Sequence, residues 1–238
     1  MWRQKTWLKV LVLTNFISLF FLAIVLFHYK VPKKVLVKLG FSVANKVTVS
    51  RHIARNELFS EYYQKKYRIV MLGDSITEWV AWNELLGIDD IANRGIAGDT
   101  TQGFCERLST VYSVNPEMCF LMGGINDILR GISVESILTN TESIIEELKM
   151  KGIKPIIQST LYVSKEHSNW KTVNKNVSEL NDGLRSVCLK KSLMFLDVNA
   201  LLSVDGAIKN ENVYDGLHLS GLGYKEWGKL LIEIIEND

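Results

Sequence analysis

Arg68-Ile-Val-Met-Leu-Gly-Asp-Ser-Ile-Thr-Glu-Trp79 is the stretch from which the fold of this 238-residue chain can be read. Residues 69–72 form a short apolar run of strand formers, the length of a buried strand. Gly73 breaks the run and permits a sharp turn. Thr77 and Glu78 follow as helix-start residues. Ser75 is therefore expected at the carboxyl end of a strand and the mouth of a helix, where open α/β sheets bind ligands. Its hydroxyl can face a cleft, and its N–H can point at a developing negative charge. An N-capping serine in an ordinary βα turn would look the same, so this motif alone does not decide the function.

Outward from this stretch, strands and helices alternate. Strands are expected at 69–72, 91–94, 118–122, 154–158 and 193–197. Helices are expected at 57–66, 77–86, 101–111, 133–150, 171–190 and from Ser220 to the end. The last carries Trp227, Leu230, Leu231 and Ile234 at helical spacing. Five alternations predict an α/β chain with a parallel sheet covered on both faces, a three-layer α/β/α fold.

Charge divides the chain. Residues 1–56 hold ten Lys or Arg and no acid, which leaves 18 basic against 26 acidic residues in the remainder, a net of −8. An acidic body argues against nucleic-acid binding. Residues 10–27 are uncharged and rich in Leu, Phe, Val and Ile. As a helix they would span roughly 27 Å, close to the hydrocarbon thickness of a bilayer. A cleaved signal peptide is the alternative, but no A-x-A-like site follows. The expected organisation is a membrane anchor at 1–29 with its transmembrane helix at 10–27, a basic juxtamembrane connector at 30–56, and a catalytic domain at 57–238. Lysines flank the apolar run on both sides, so the positive-inside rule barely discriminates. The expected orientation is a single pass through the cell membrane with the amino terminus inside, which places the catalytic domain outside.

The three cysteines and four histidines show no metal-ligand spacing, so no metal or cofactor is expected. Several expected strand ends carry small or polar residues: Gly73-Asp-Ser75, Gly95 to Asp99, Gly124 to Asp127, and Ser159-Thr160. Together they suggest one cleft. Near the carboxyl end lies Tyr214-Asp-Gly-Leu-His-Leu219. Asp215 can accept the Nδ1 proton of His218 and leave Nε2 free as a base. With Ser75, this gives a nucleophile, a base and an orienting group. Oxyanion donors could be the Ser75 N–H, the Gly98 N–H and the Asn126 side-chain amide. Asp74, Asp99 and Asp127 read as acceptors that fix loops. A glycosidase pair built from those carboxylates would leave the D-x-x-H unexplained.

Taken together, Gly-Asp-Ser75, Gly95-Ile-Ala-Gly-Asp-Thr-Thr101, Gly124-Ile-Asn-Asp127 and Asp215-Gly-Leu-His218 resemble the SGNH, or GDSL, hydrolase superfamily. Within it, the longer stretches 93–101 and 214–224 are similar to platelet-activating-factor acetylhydrolase catalytic subunits and their bacterial relatives. The resemblance covers roughly residues 60–236. It implies a flavodoxin-like fold with five parallel strands and a metal-free serine esterase with Ser75, Asp215 and His218 as triad. It also implies an oxyanion hole of Ser75, Gly98 and Asn126, and a small acyl-ester substrate, a lipid or a glycan ester. A lysophospholipase or thioesterase, or an inactive tethered glycan-binding protein, are the other readings. Nothing in the sequence fixes the oligomeric state.

Overall fold

The structure, a computed structural model, describes residues 46–62 and 65–237, with side chains from residue 51. The apolar run at 10–27 lies outside the described residues. Among the described residues, no helix is long and apolar enough to cross a membrane.

The chain enters through α1 (Lys46–Glu57), followed by a π-helical turn at Leu58–Tyr62 that buries Phe59. This helix occupies the end of the stretch expected to be connector, and from Val47 onward it clusters with the rest of the domain. The expected helix at 57–66 is thus displaced toward the amino terminus. Two basic residues of the expected connector, Arg51 and Arg55, have an acidic partner in the body, described below.

The sheet then forms from β1 (Ile69–Gly73), β2 (Ile91–Gly95), β3 (Met118–Met122), β4 (Lys154–Gln158) and β5 (Met194–Leu196). All neighbours are parallel, in the order β2-β1-β3-β4-β5. Every residue of β1 and β3 is buried, as continuous apolar strands covered on both faces must be. The helices between strands are α2 (Ser75–Glu78), α3 (Trp82–Leu86), α4 (Thr101–Glu106), α5 (Ser109–Tyr112), α6 (Ile125–Leu129), α7 (Val134–Met150) and α8 (Trp170–Lys191). After β5 come α9 (Asn199–Leu202), a small hairpin of β6 (Ser203–Val204) with β7 (Ala207–Ile208), and α10 (Gly221–Glu236).

Two helix groups give the three-layer arrangement: α7 packs on both α4 and α8, and α10 packs on α3 and α9. Trp82 of α3 meets Trp227 of α10 edge to face, with ring centroids 4.7 Å apart. The Trp227 indole also donates to the buried Gln158 side chain at 2.8 Å. Ser133 and Ser220 cap α7 and α10 as expected, accepting from the N–H groups of Ser136 and Gly223.

Two expected helices are each broken in two. The 77–86 segment stops at Glu78, and the Asn93 side chain collects carbonyls released there, Thr77 at 2.9 Å and Val80 at 3.0 Å. The 101–111 segment breaks at Arg107, whose buried guanidinium is drawn to the ends of β1 and β2. Neither break has a Gly or Pro signal, because side chains from other elements impose it.

The order of strands fixes where the site lies. The chain steps from β1 out to β2 on one side and then crosses back past β1 to β3 on the other, so a crevice opens at the carboxyl ends of β1 and β3. The register aligns Gly73 with both Gly95 and Met122. Ser75, Gly98 and Asn126 follow these three aligned strand ends.

Candidate active site

Ser75 is the first residue of α2. Asp74 caps that helix by accepting the Ile76 N–H at 2.9 Å. The Ser75 Oγ lies 2.9 Å from His218 Nε2. On the far side of the ring, His218 Nδ1 lies 2.7 Å from Asp215 Oδ2. The other Asp215 oxygen accepts the N–H groups of His218 at 2.7 Å and Leu217 at 3.0 Å. One carboxylate therefore fixes the loop and the ring together. Partial burial works against its charge, but these donors and the imidazole outweigh it and hold Asp215 below the usual carboxylate range. An ionised Asp215 accepts the hydrogen bond from Nδ1–H, which leaves the Nε2 lone pair facing the serine hydroxyl.

The loop after β2 presents a second feature. Ile96 N–H donates to Gly73 O, Ala97 N–H to Glu78 Oε2, Asp99 N–H to Ile96 O, and Thr100 N–H to Asp99 Oδ1. Among the described residues, Gly98 N–H is the one donor of this loop without a partner, and Ser75 N–H also has none. Gly98 sits at φ +76°, a conformation that glycine adopts without steric cost. Its carbonyl is held by the Arg130 guanidinium.

Asn126 lies in α6, whose N-cap Gly124 has φ +103°. The Asn126 Nδ2 donates to Asp74 Oδ2 at 3.2 Å. Asp74 thus links the first turn of the serine helix to the Asn126 amide. Burial, reinforced by the nearby charges of Asp99 and Asp127, raises Asp74 to about 7, against the pull of the Ile76 N–H and the Asn126 amide.

The neighbouring carboxylates are occupied as loop fixers, as the sequence suggests. Asp99 receives Arg107 Nε at 2.6 Å, and Arg107 also donates to Gly73 O and Arg94 O. Asp127 receives the Thr101 hydroxyl at 2.7 Å and the Thr101 N–H at 3.1 Å. Burial raises Asp127, with the Thr101 donors opposing.

All five expected site residues are thus gathered at one sheet edge. Two aromatic residues join them that sequence reasoning did not assign. Trp79 stacks on the His218 ring, with centroids 4.0 Å apart and planes 12° from parallel. Tyr214 stacks on Trp79 at 5.8 Å. Both remain open to solvent, at 43% and 64% exposure, so they form an aromatic wall beside the serine. No periodicity marks either residue. Their only sequence signal is adjacency to the Gly-Asp-Ser and D-x-x-H motifs.

Comparison with known proteins places the sequence in a family. The model of the GDSL-like lipase/acylhydrolase family matches residues 71–226, a span that holds all five site residues. The chain belongs to the GDSL-like lipase/acylhydrolase family. Its described domain is therefore an acylhydrolase domain of the carboxylic ester hydrolase class. A solved protein of Streptococcus pneumonia, described as a platelet activating factor, is 27% identical with a TM-score of 0.70; the match covers 79% of this chain and 92% of that one. The platelet-activating factor acetylhydrolase IB subunit alpha1 of Bos taurus is 26% identical over 187 residues, 73% of this chain and 79% of that protein. An N-acylneuraminate cytidylyltransferase of Streptococcus agalactiae is 28% identical over 167 residues. That match takes in 69% of this chain but only 38% of the transferase's length.

Proposed function

We propose that this acylhydrolase cleaves short acyl esters, acetyl esters above all, of a lipid or glycan at a membrane surface. The observation that carries the reading is the unbroken line Asp215–His218–Ser75 beside the unpartnered N–H of Gly98. In this mechanism His218 Nε2 takes the Ser75 proton as Oγ attacks the ester carbonyl. The tetrahedral oxyanion is received by the N–H groups of Ser75 and Gly98 and by the Asn126 amide. His218 then gives the proton to the departing alkoxide, which leaves as the alcohol. Water attacks the acyl-serine by the same base, releasing the carboxylic acid and restoring Ser75. Asp215 keeps the imidazole in the useful tautomer throughout.

The acetyl preference is supported by similarity to an acetylhydrolase subunit and by the absence, between the motif blocks in sequence, of a long apolar insertion. The membrane setting is supported by the uncharged run at 10–27 and the lysines around it, with the domain placed on the outer side. A fluorophosphonate and a panel of p-nitrophenyl esters from acetate to palmitate test the reading. Labelling confined to Ser75, lost in Ser75→Ala, with acetate giving the highest kcat/KM, is the expected result. A Ser75→Ala variant that still turns over would refute the nucleophile. A palmitate preference below the micelle concentration would refute the acyl length.

A further inference from the structure

The family match begins at residue 71, so α1 stands outside it. Yet α1 reaches the two residues that flank Gly98 in sequence, in each case through one carboxylate. On one side, Glu78 Oε2 accepts the Ala97 N–H at 2.9 Å. The Glu78 side chain is only 5% exposed, and its two oxygens face Arg51 and Arg55 of α1. Arg51 Nη2 lies 3.2 Å from Oε2. Arg55 Nε lies 3.1 Å from Oε1, close enough for an ion pair though not aligned as a hydrogen bond. On the other side, Asp99 Oδ1 accepts the Thr100 N–H and lies 3.2 Å from His52 Nε2. Arg51 and Arg55 are one helical turn apart, so they share a face of α1. Arg55 is fixed further by the Phe59 ring, 4.8 Å from its guanidinium carbon.

The consequence follows from charge. Glu78 is nearly buried, and a buried carboxylate is costly unless it is paired. Its negative charge strengthens the hydrogen bond from Ala97 N–H, and that bond sets the peptide immediately before Gly98. We infer that Arg51 and Arg55 of α1 are positioning residues for ester hydrolysis: they clamp the Glu78 carboxylate in place so that the Ala97–Gly98 loop aims the Gly98 N–H at the oxyanion. His52 braces the far end of the same loop through Asp99. The helix that precedes the family domain is thus part of its working site, and a cut at residue 57 would remove all three residues. This inference rests on Gly98 serving as an oxyanion donor.

The test uses the full-length chain, with p-nitrophenyl acetate and rates expressed per fluorophosphonate-titrated site. Removing a whole oxyanion donor lowers kcat about 10²–10³-fold, so misaiming one should cost less, about 5- to 100-fold. Arg51→Ala/Arg55→Ala is expected to lose kcat in that range with KM within about twofold, because the contact matters in the transition state. Arg51→Lys/Arg55→Lys keeps both charges and should recover most of the loss. If the double alanine variant does not fold, Arg51→Ala is read by the same kcat criterion, since that side chain is half exposed. A fall in melting temperature with kcat unchanged would overturn the inference, and so would equal loss in the alanine and lysine pairs. Asn126→Ala separates the two levels. If it leaves kcat intact, the oxyanion reading itself is wrong. If it lowers kcat while the arginine pair does not, only the role of α1 is wrong.

Discussion

Asp215→Asn tests the proposed triad at its most informative bond. Asn keeps a side-chain oxygen for the His218 and Leu217 N–H groups, so the loop geometry should survive. What changes is the atom facing His218 Nδ1. There the carboxylate oxygen at 2.7 Å is replaced by an amide donor. Nδ1 must then become the acceptor and the ring proton moves to Nε2. That proton points at Ser75 Oγ, 2.9 Å away, where a lone pair is needed. In the serine protease triad the same change lowers kcat about 10⁴-fold, roughly 5.5 kcal/mol of barrier. Asp215 is more open to water here, with 37% of its side chain exposed, and solvent can stabilise part of the imidazolium charge. The expected loss in kcat is therefore about 10²- to 10⁴-fold. Steady-state hydrolysis of p-nitrophenyl acetate, with a thermal melt on the same preparation, reads both consequences. A loss under tenfold in a normally folded variant would refute the tautomer argument. Asp215→Ala should differ by lowering the melting temperature as well, because the two loop N–H groups lose their acceptor.

Three further outcomes follow from the same geometry. Trp79→Leu should lower kcat about 2- to 30-fold, the range of a cation–π contact of about 0.5–2 kcal/mol, while Trp79→Phe retains most of the rate; equal rates for all three side chains would remove the indole from the mechanism. Asp74 is raised from 3.8 to about 7 on folding, so its contribution to stability is fully present below about pH 3.8 and is lost as pH rises toward 7. Denaturant unfolding across that window should show wild type losing stability relative to Asp74→Asn as pH increases, and the opposite slope would contradict the raised value. The full-length chain should stay with membranes through a high-salt wash, because salt screens lysines but not an apolar helix; release by salt alone would exclude a spanning anchor.

The sheet was legible because its signals are local. Residues 118–122 are a short apolar run and 155–157 another between Lys154 and Gln158, and strands fall at 118–122 and 154–158. Ser133 and Ser220 announced their helices by capping chemistry that needs only neighbouring N–H groups. The two helix breaks could not be read, since each depends on a side chain from another part of the chain. Asn93 comes from β2 to the carbonyls that end α2. Arg107 leaves its own helical segment for the carbonyl of Gly73, 34 residues earlier. Helix α6 was also missed: with five residues and two glycines before it, it has no visible period.

The same distinction explains the site. Asp215 and His218 are three residues apart, so their hydrogen bond is a local matter and the D-x-x-H motif displays it. Glycine at 98 is likewise a local statement about backbone freedom. How the Gly98 peptide is held in place is not local. It depends on Glu78 from the end of α2, on Asp99 gripped by Arg107, and on cations from α1. Those residues look like ordinary surface charges in the sequence, because a Lys- and Arg-rich segment without acids reads as solvated whenever its partners lie elsewhere. Glu78 does have a partner, and its burial changes the energetic meaning of the pair. An exposed ion pair contributes about 0–1 kcal/mol, whereas a buried carboxylate deprived of its cations must either take up a proton or draw in water. Either response weakens the acceptor on Ala97 N–H. The rate of ester cleavage is therefore sensitive to charges on α1 that never touch the substrate.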